Sequence, residues 1–124
     1  MALRSYKELL VWQKAMDLLV EVYGVTGRYP AEERFGLAVH TRRTAVSIPS
    51  NIAEGYTRRH RAEYVRHVDI AYASTAELET QLIAAQRLGF IAPTQSRLFE
   101  RHGEVERMLA SLRRKLSKPQ NPKP

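Results

Sequence analysis

The chain of 124 residues has no cysteine, which leaves it no disulfide and no thiolate chemistry and fits a reducing compartment. It has no apolar run near the roughly 18 residues that a membrane span needs. Its opening residues, Met1 to Glu8, lack the charged-then-apolar order of a secretion signal. A soluble, cytoplasmic protein with no membrane association is expected. Strand signals are missing too, with no alternating apolar and polar run and no Asn-Gly or Asp-Gly hairpin turn. The glycines number six and are scattered, which excludes a phosphate-cradling loop. Ser47 and Ser50 have no histidine within local reach and no nucleophile elbow around them. His102 and Glu106 stand one helical turn apart, but zinc takes three or four protein ligands and no others cluster there. His40, His60 and His67 read as surface or packing residues. The expectation is a non-enzymatic chain with no cofactor and no metal.

Acidic residues are also scarce. Thirteen Asp and Glu face 20 Lys and Arg, a net charge of +7 and a pI near 10.1. Of those cations 15 are Arg and 5 are Lys. The planar guanidinium fork suits phosphate, so this bias points to a polyanionic partner. A surface laced with salt bridges is the other reading.

Apolar spacing predicts four helices, in residues 5–117, as one domain. The first covers 5–26 with Leu9, Trp12, Met16, Leu19 and Tyr23 on its seam. The second opens on Glu32 and Glu33, where the positive helix end favours acids. It carries Phe35, Ala38, Ala45 and Ile52 on one line, with Leu37 and Ile48 off it, and ends near Gly55. The third covers 62–88 with Tyr64, Val68, Ala71, Thr75, Leu78, Leu82 and Ala85, and Gly89 closes it. Pro93 is expected in the first turn of the fourth, which aligns Leu98, Val105, Leu109, Leu112 and Leu116. The tail 118–124 has nothing to bury and is expected to be disordered. Short connections between such helices make an all-α, antiparallel up-down-up-down four-helix bundle.

Inside the second helix, Pro49 removes one backbone hydrogen bond and predicts a kink. Upstream Ser and Thr hydroxyls are expected to soften it by bonding the freed carbonyls. The third helix shows a second apolar line of Val65, Tyr72, Ala76 and Ile83. One core needs a single stripe per helix, so this line is a candidate oligomer interface.

The segment Arg42-Arg43-Thr44-Ala45-Val46-Ser47-Ile48-Pro49-Ser50-Asn51-Ile52-Ala53-Glu54-Gly55 resembles the signature of the bacterial four helix bundle proteins. These are also called the 23S rRNA intervening-sequence protein or S23 family. Tyr6-Lys7-Glu8-Leu9-Leu10-Val11-Trp12-Gln13-Lys14-Ala15, Tyr29 to Leu37, Ala71 to Leu82 and Leu88-Gly89-Phe90-Ile91 match in the same order. The resemblance implies a ring-forming homopentamer whose partners are other copies of the chain and RNA or DNA. A related bundle is the accessory variability determinant of diversity-generating retroelements, which implies a reverse transcriptase as a further partner.

Two basic clusters are the candidate nucleic-acid contacts: Arg58, Arg59, Arg61 and Arg66, and then Arg113, Arg114 and Lys115. Antiparallel helices place the second-to-third turn and the close of the fourth helix at one end, so the clusters should adjoin. A solvated charged end that complements the helix dipole is the competing reading. Arg42 is a further candidate contact. Arg43, Asn51, Glu54, Glu77 and Glu79 are expected to form a structural polar network, with salt bridges between helices or between subunits. A protein scaffold that binds no nucleic acid is the alternative function.

Overall fold

The computed structural model describes residues 5–118, so all of the expected 118–124 tail except Lys118 lies outside the described residues. Among these, four helices and no strand are found: α1 Leu10–Thr26, α2 Leu37–Tyr56, α3 Arg61–Arg87 and α4 Ser96–Ser117. Each packs on its neighbours in the cycle α1–α2–α3–α4–α1, and α2 and α3 share the most extensive packing. The molecule is an all-α four-helix bundle.

Several boundaries differ from the expectation. The first segment is broken at Leu9, whose extended backbone separates a 3-10 turn, Tyr6–Glu8, from α1. Glu32 and Glu33 fall in a separate 3-10 turn, Ala31–Glu33. Glu33 still serves the helix start, because its Oε1 accepts from Leu37 N at 3.2 Å. Pro93 lies in the turn before α4 and not in its first turn, since α4 opens only at Ser96. The close of α3 is as expected. Gly89 takes φ +81°, Phe90 N donates to Ala85 O, and Gly89 N donates to Gln86 O, the paired bonds of a Schellman cap.

The core is built from Leu18, Ile48, Ile52, Leu78, Leu82, Leu98 and Leu109, all fully buried. The α3 seam from Val68 to Ala85 is buried as its spacing predicts. On α1 the inward line is instead Val11, Ala15, Leu18, Val22 and Val25, while Leu9, Trp12, Met16 and Leu19 are half-buried and Tyr23 is exposed. Both lines have helical spacing. On α4, Glu104, Arg101 and Arg97 pair with Lys14, Asp17 and Glu21, which lie beside the buried Val11 line. On α2, Ile48 is core, whereas Phe35 precedes the helix and is 83% exposed.

Helix α2 runs unbroken through the buried Pro49. The hydroxyls of Thr41, Thr44 and Ser47 donate to the carbonyls of Leu37, His40 and Thr44. They do not bond Ala45 O, the acceptor that Pro49 strands, so the expected softening runs through neighbouring carbonyls only. At the far end of α2, a Cβ on Gly55 would sit 2.7 Å from His67 Cβ and 3.1 Å from Tyr64 Cδ1. Only glycine permits this close approach of α2 to α3.

Candidate nucleic-acid interface

The α2–α3 connection, residues 57–60, meets the close of α4 at one end of the bundle. Arg61 makes the junction: its Nε donates to Leu116 O at 3.2 Å, and its Nη2 donates to Lys115 O at 3.1 Å and Lys118 O at 3.5 Å. These are carbonyls that a helix end leaves without partners. The two basic clusters therefore adjoin, and one of their members is what joins them.

Not every arginine of the two clusters is available to a ligand. Arg58 pairs with Glu54 at 3.1 Å and Glu63 at 3.7 Å. Arg113 holds Asp69 at 2.7 Å, with its guanidinium 4.4 Å over the Tyr72 ring. Arg59, Arg66, Arg114 and Lys115 are exposed. Among the described residues they carry no ion pair. Arg58 and Arg61 thus differ from Arg59, since the first is paired with acids and the second with carbonyls of α4.

Arg42 lies at the opposite end. It points toward α1, with Nε donating to Thr26 Oγ1 at 2.7 Å and Nη2 to Tyr23 O at 3.2 Å. Arg43, one step around the helix, is exposed and lines a polar groove of about 370 Å³ with His40, Ser47, Ser74, Glu77 and Gln81. No ion pair within the chain joins it to Glu77 or Glu79 among the described residues, so that part of the expected network is not made within one copy. Ser47 and Ser74 bridge α2 and α3 here instead, with their hydroxyls 2.7 Å apart.

Asn51 and Glu54 do form a polar set, around a residue that sequence reading set aside. Asn51 Nδ2 donates to Ser47 O at 2.8 Å, which turns Oδ1 toward His67 Nδ1 at 2.9 Å. The imidazole must then carry its proton on Nδ1. Nε2 faces Glu54 at 3.9 Å, so His67, Glu54 and Arg58 run in series toward the turn. Beside them Tyr64 packs edge-on to Tyr56 at 5.8 Å, and burial, then the neighbouring Tyr56, pushes its phenol pKa up.

Of the line proposed for subunit contact, Val65 and Tyr72 are half-buried, Ala76 is exposed, and Ile83 is 37% exposed. A second apolar surface lies between α1 and α2, a groove of about 320 Å³ whose lining includes Tyr6, Trp12, Met16, Val46 and Pro49. Among the described residues, no helix is long and apolar enough to cross a membrane, and no three His, Asp or Glu side chains converge as a metal set. His102 is buried, with Nε2 2.6 Å from Thr75 O.

A family model described as 23S rRNA-intervening sequence protein matches residues 7–111. The fold is similar to a crystal structure of a protein of unknown function from the S23 ribosomal protein family of Bacteroides thetaiotaomicron. The TM-score is 0.78 at 22% identity, over 85% of this chain and 96% of the other. No curated protein matches the chain.

Proposed function

The chain belongs to the 23S rRNA-intervening sequence protein family, and from that premise we propose that it is a non-enzymatic, oligomeric protein that binds the backbone of RNA or DNA. The observation that carries this reading is the set of unpaired cations Arg59, Arg66, Arg114 and Lys115 around one rigid end. Cations already paired with acids release little on meeting phosphate, whereas unpaired ones displace counterions from the polymer. Arg58, Arg61 and Arg113 act as the frame that holds the free ones in place. In a closed homopentameric ring the end would recur in every subunit, making a basic rim with multivalent grip. A reverse transcriptase encoded beside the gene would be a natural further partner, detectable by co-purification.

The test is affinity for structured and single-stranded RNA against salt. Replacing Arg59, Arg66, Arg114 and Lys115 together by Ala should lower the slope of log affinity against log salt by about three. All sequences should weaken alike. Light scattering on the same samples should give a mass near five times 14.2 kDa. An unchanged slope, or a wild-type monomer, would refute the corresponding part of the proposal.

The apolar α1–α2 groove favours a second reading, a scaffold that docks a protein and no nucleic acid. Co-purification of a protein that survives nuclease treatment, with no RNA affinity at low salt, would select it.

A further inference from the structure

At the end of the bundle away from the basic turn, α1 stops at Thr26 and the chain passes through Tyr29 and the Ala31–Glu33 turn into α2. Thr26, Tyr29, Ala31, Arg34, Ala38 and Arg42 are among the residues that enclose a cavity of about 380 Å³ here. Its lining contains two arginines and no carboxylate. The other polar grooves are compensated: Glu77 accompanies Arg43 in one, and Glu100 and Glu104 accompany Arg97, Arg101 and Arg107 in another.

Arg42 is held firmly. Its Nε bonds Thr26 Oγ1, one Nη2 proton bonds Tyr23 O, and its guanidinium carbon lies 4.5 Å over the Tyr23 ring. Two of its five N–H groups are thereby spent on closing α1, and the others have no partner among the described residues. By closing α1, Arg42 also offsets the negative end of that helix, which would otherwise repel an anion. Capping alone does not account for the rest of the site. Arg34 is exposed beside it with no ion pair among the described residues. Tyr29 is only 7% exposed, and its hydroxyl is buried without a hydrogen-bond partner. A buried donor left unsatisfied is rare in a native fold.

We propose that this cavity binds a phosphomonoester group, gripped by Arg34 and Arg42. A phosphomonoester at neutral pH carries between one and two negative charges and so matches two guanidiniums better than a carboxylate does. The cavity exceeds the anion in size, and Ala31 and Ala38 offer an apolar wall to whatever the phosphate is attached to. Two sources share this chemistry: a free small phosphate ester, or the terminal phosphate of a polynucleotide. The proposal does not rest on backbone binding at the opposite end.

Calorimetry of the full chain with inorganic phosphate, a nucleoside 5′-monophosphate, acetate, and short RNA bearing a 5′-phosphate or a 5′-hydroxyl tests it. Arg34→Ala and Ala31→Glu alter exposed residues and should leave melting unchanged, yet each should weaken phosphate binding by about tenfold or more. Binding of the monophosphate with no preference between the RNAs identifies a small ester as the ligand; preference for the 5′-phosphorylated RNA identifies a polynucleotide end. The proposal is overturned if no phosphate ester binds, if acetate binds as tightly, or if both Arg34→Ala and Ala31→Glu bind like wild type.

Discussion

At the end built from the α2–α3 connection and the close of α4, Arg58, Arg61 and Arg113 are each matched to an acid or a carbonyl. At the other end, Arg34 and Arg42 line a cavity that holds no acid at all. The first end is the richer in cations by sequence count, but Arg58 and Arg113 are already paired with acids. The second has fewer cations, but no acid lines the cavity they share. What an anion meets is the uncompensated charge, because a guanidinium already paired with an acid gains little from a second anion. A cluster of arginines in a sequence therefore locates a surface without saying which of its members are free.

The largest expected effect compares the backbones of the two ends. Gly55→Ala drives a Cβ to 2.7 Å from His67 Cβ, so α2 and α3 must separate where the basic end is framed. It should cost about 1–3 kcal/mol of overpacking, less the fraction that helix propensity returns. Gly24→Ala, in α1 near the cavity end, meets nothing within 4 Å. It should stabilise by about 0.5–1 kcal/mol. Urea unfolding of both variants decides the matter, and equal effects would show that the close crossing at Gly55 is not rigid.

Next in size is the contrast between a framing and a free arginine. Arg61→Ala removes three donors to the end of α4 and should cost about 1 kcal/mol, the upper range for so exposed a group. Arg59→Ala should stay within about 0.5 kcal/mol of wild type. The salt slope of RNA binding should order them the other way, with Arg59→Ala lowering it by about 1. If Arg61→Ala lowers the slope and leaves stability alone, the roles assigned to the two are reversed.

These contrasts also mark what could be read without coordinates. The four helices follow from apolar spacing, and on α3 the seam from Val68 to Ala85 is buried while the second apolar line, Val65 to Ile83, stays half-buried or exposed. Helix α1 has two lines of helical spacing, and the buried one is flanked by Lys14, Asp17 and Glu21, whose partners lie on α4 and so are not visible in the sequence of α1 alone. Arg61 and Arg113 looked free because their partners lie 55 and 44 residues away. Arg42 and Arg43 are neighbours in sequence yet serve opposite flanks of α2, one toward α1 and the other toward α3, since each residue turns the helix by roughly 100°. The shared-end argument succeeded because it needed only helix order.

The smallest effect is expected at neutral pH and grows only in alkali. Burial raises the Tyr29 phenol from its ordinary value of 10.0 to about 12, and Tyr64, at the basic end, is raised by burial and then by Tyr56. The folded state favours the neutral phenol, so a raised pKa contributes stability that is complete below pH 10. That contribution is lost as pH climbs through the folded value, because the unfolded chain ionises first and draws the equilibrium toward itself. Wild-type stability should accordingly fall between pH 10 and about pH 12, the window set by the Tyr29 shift. Tyr29→Phe should match or slightly exceed wild type at pH 7, since it removes an unpaired buried hydroxyl, and should lose less across the alkaline window. Tyr64→Phe should flatten the same curve from the other end of the bundle. Saturating phosphate supplies the final discrimination: bound at the cavity, it should raise the melting temperature of wild type more than that of Arg34→Ala, and equally for wild type and Tyr64→Phe. Equal shifts in all three would place the anion away from Arg34.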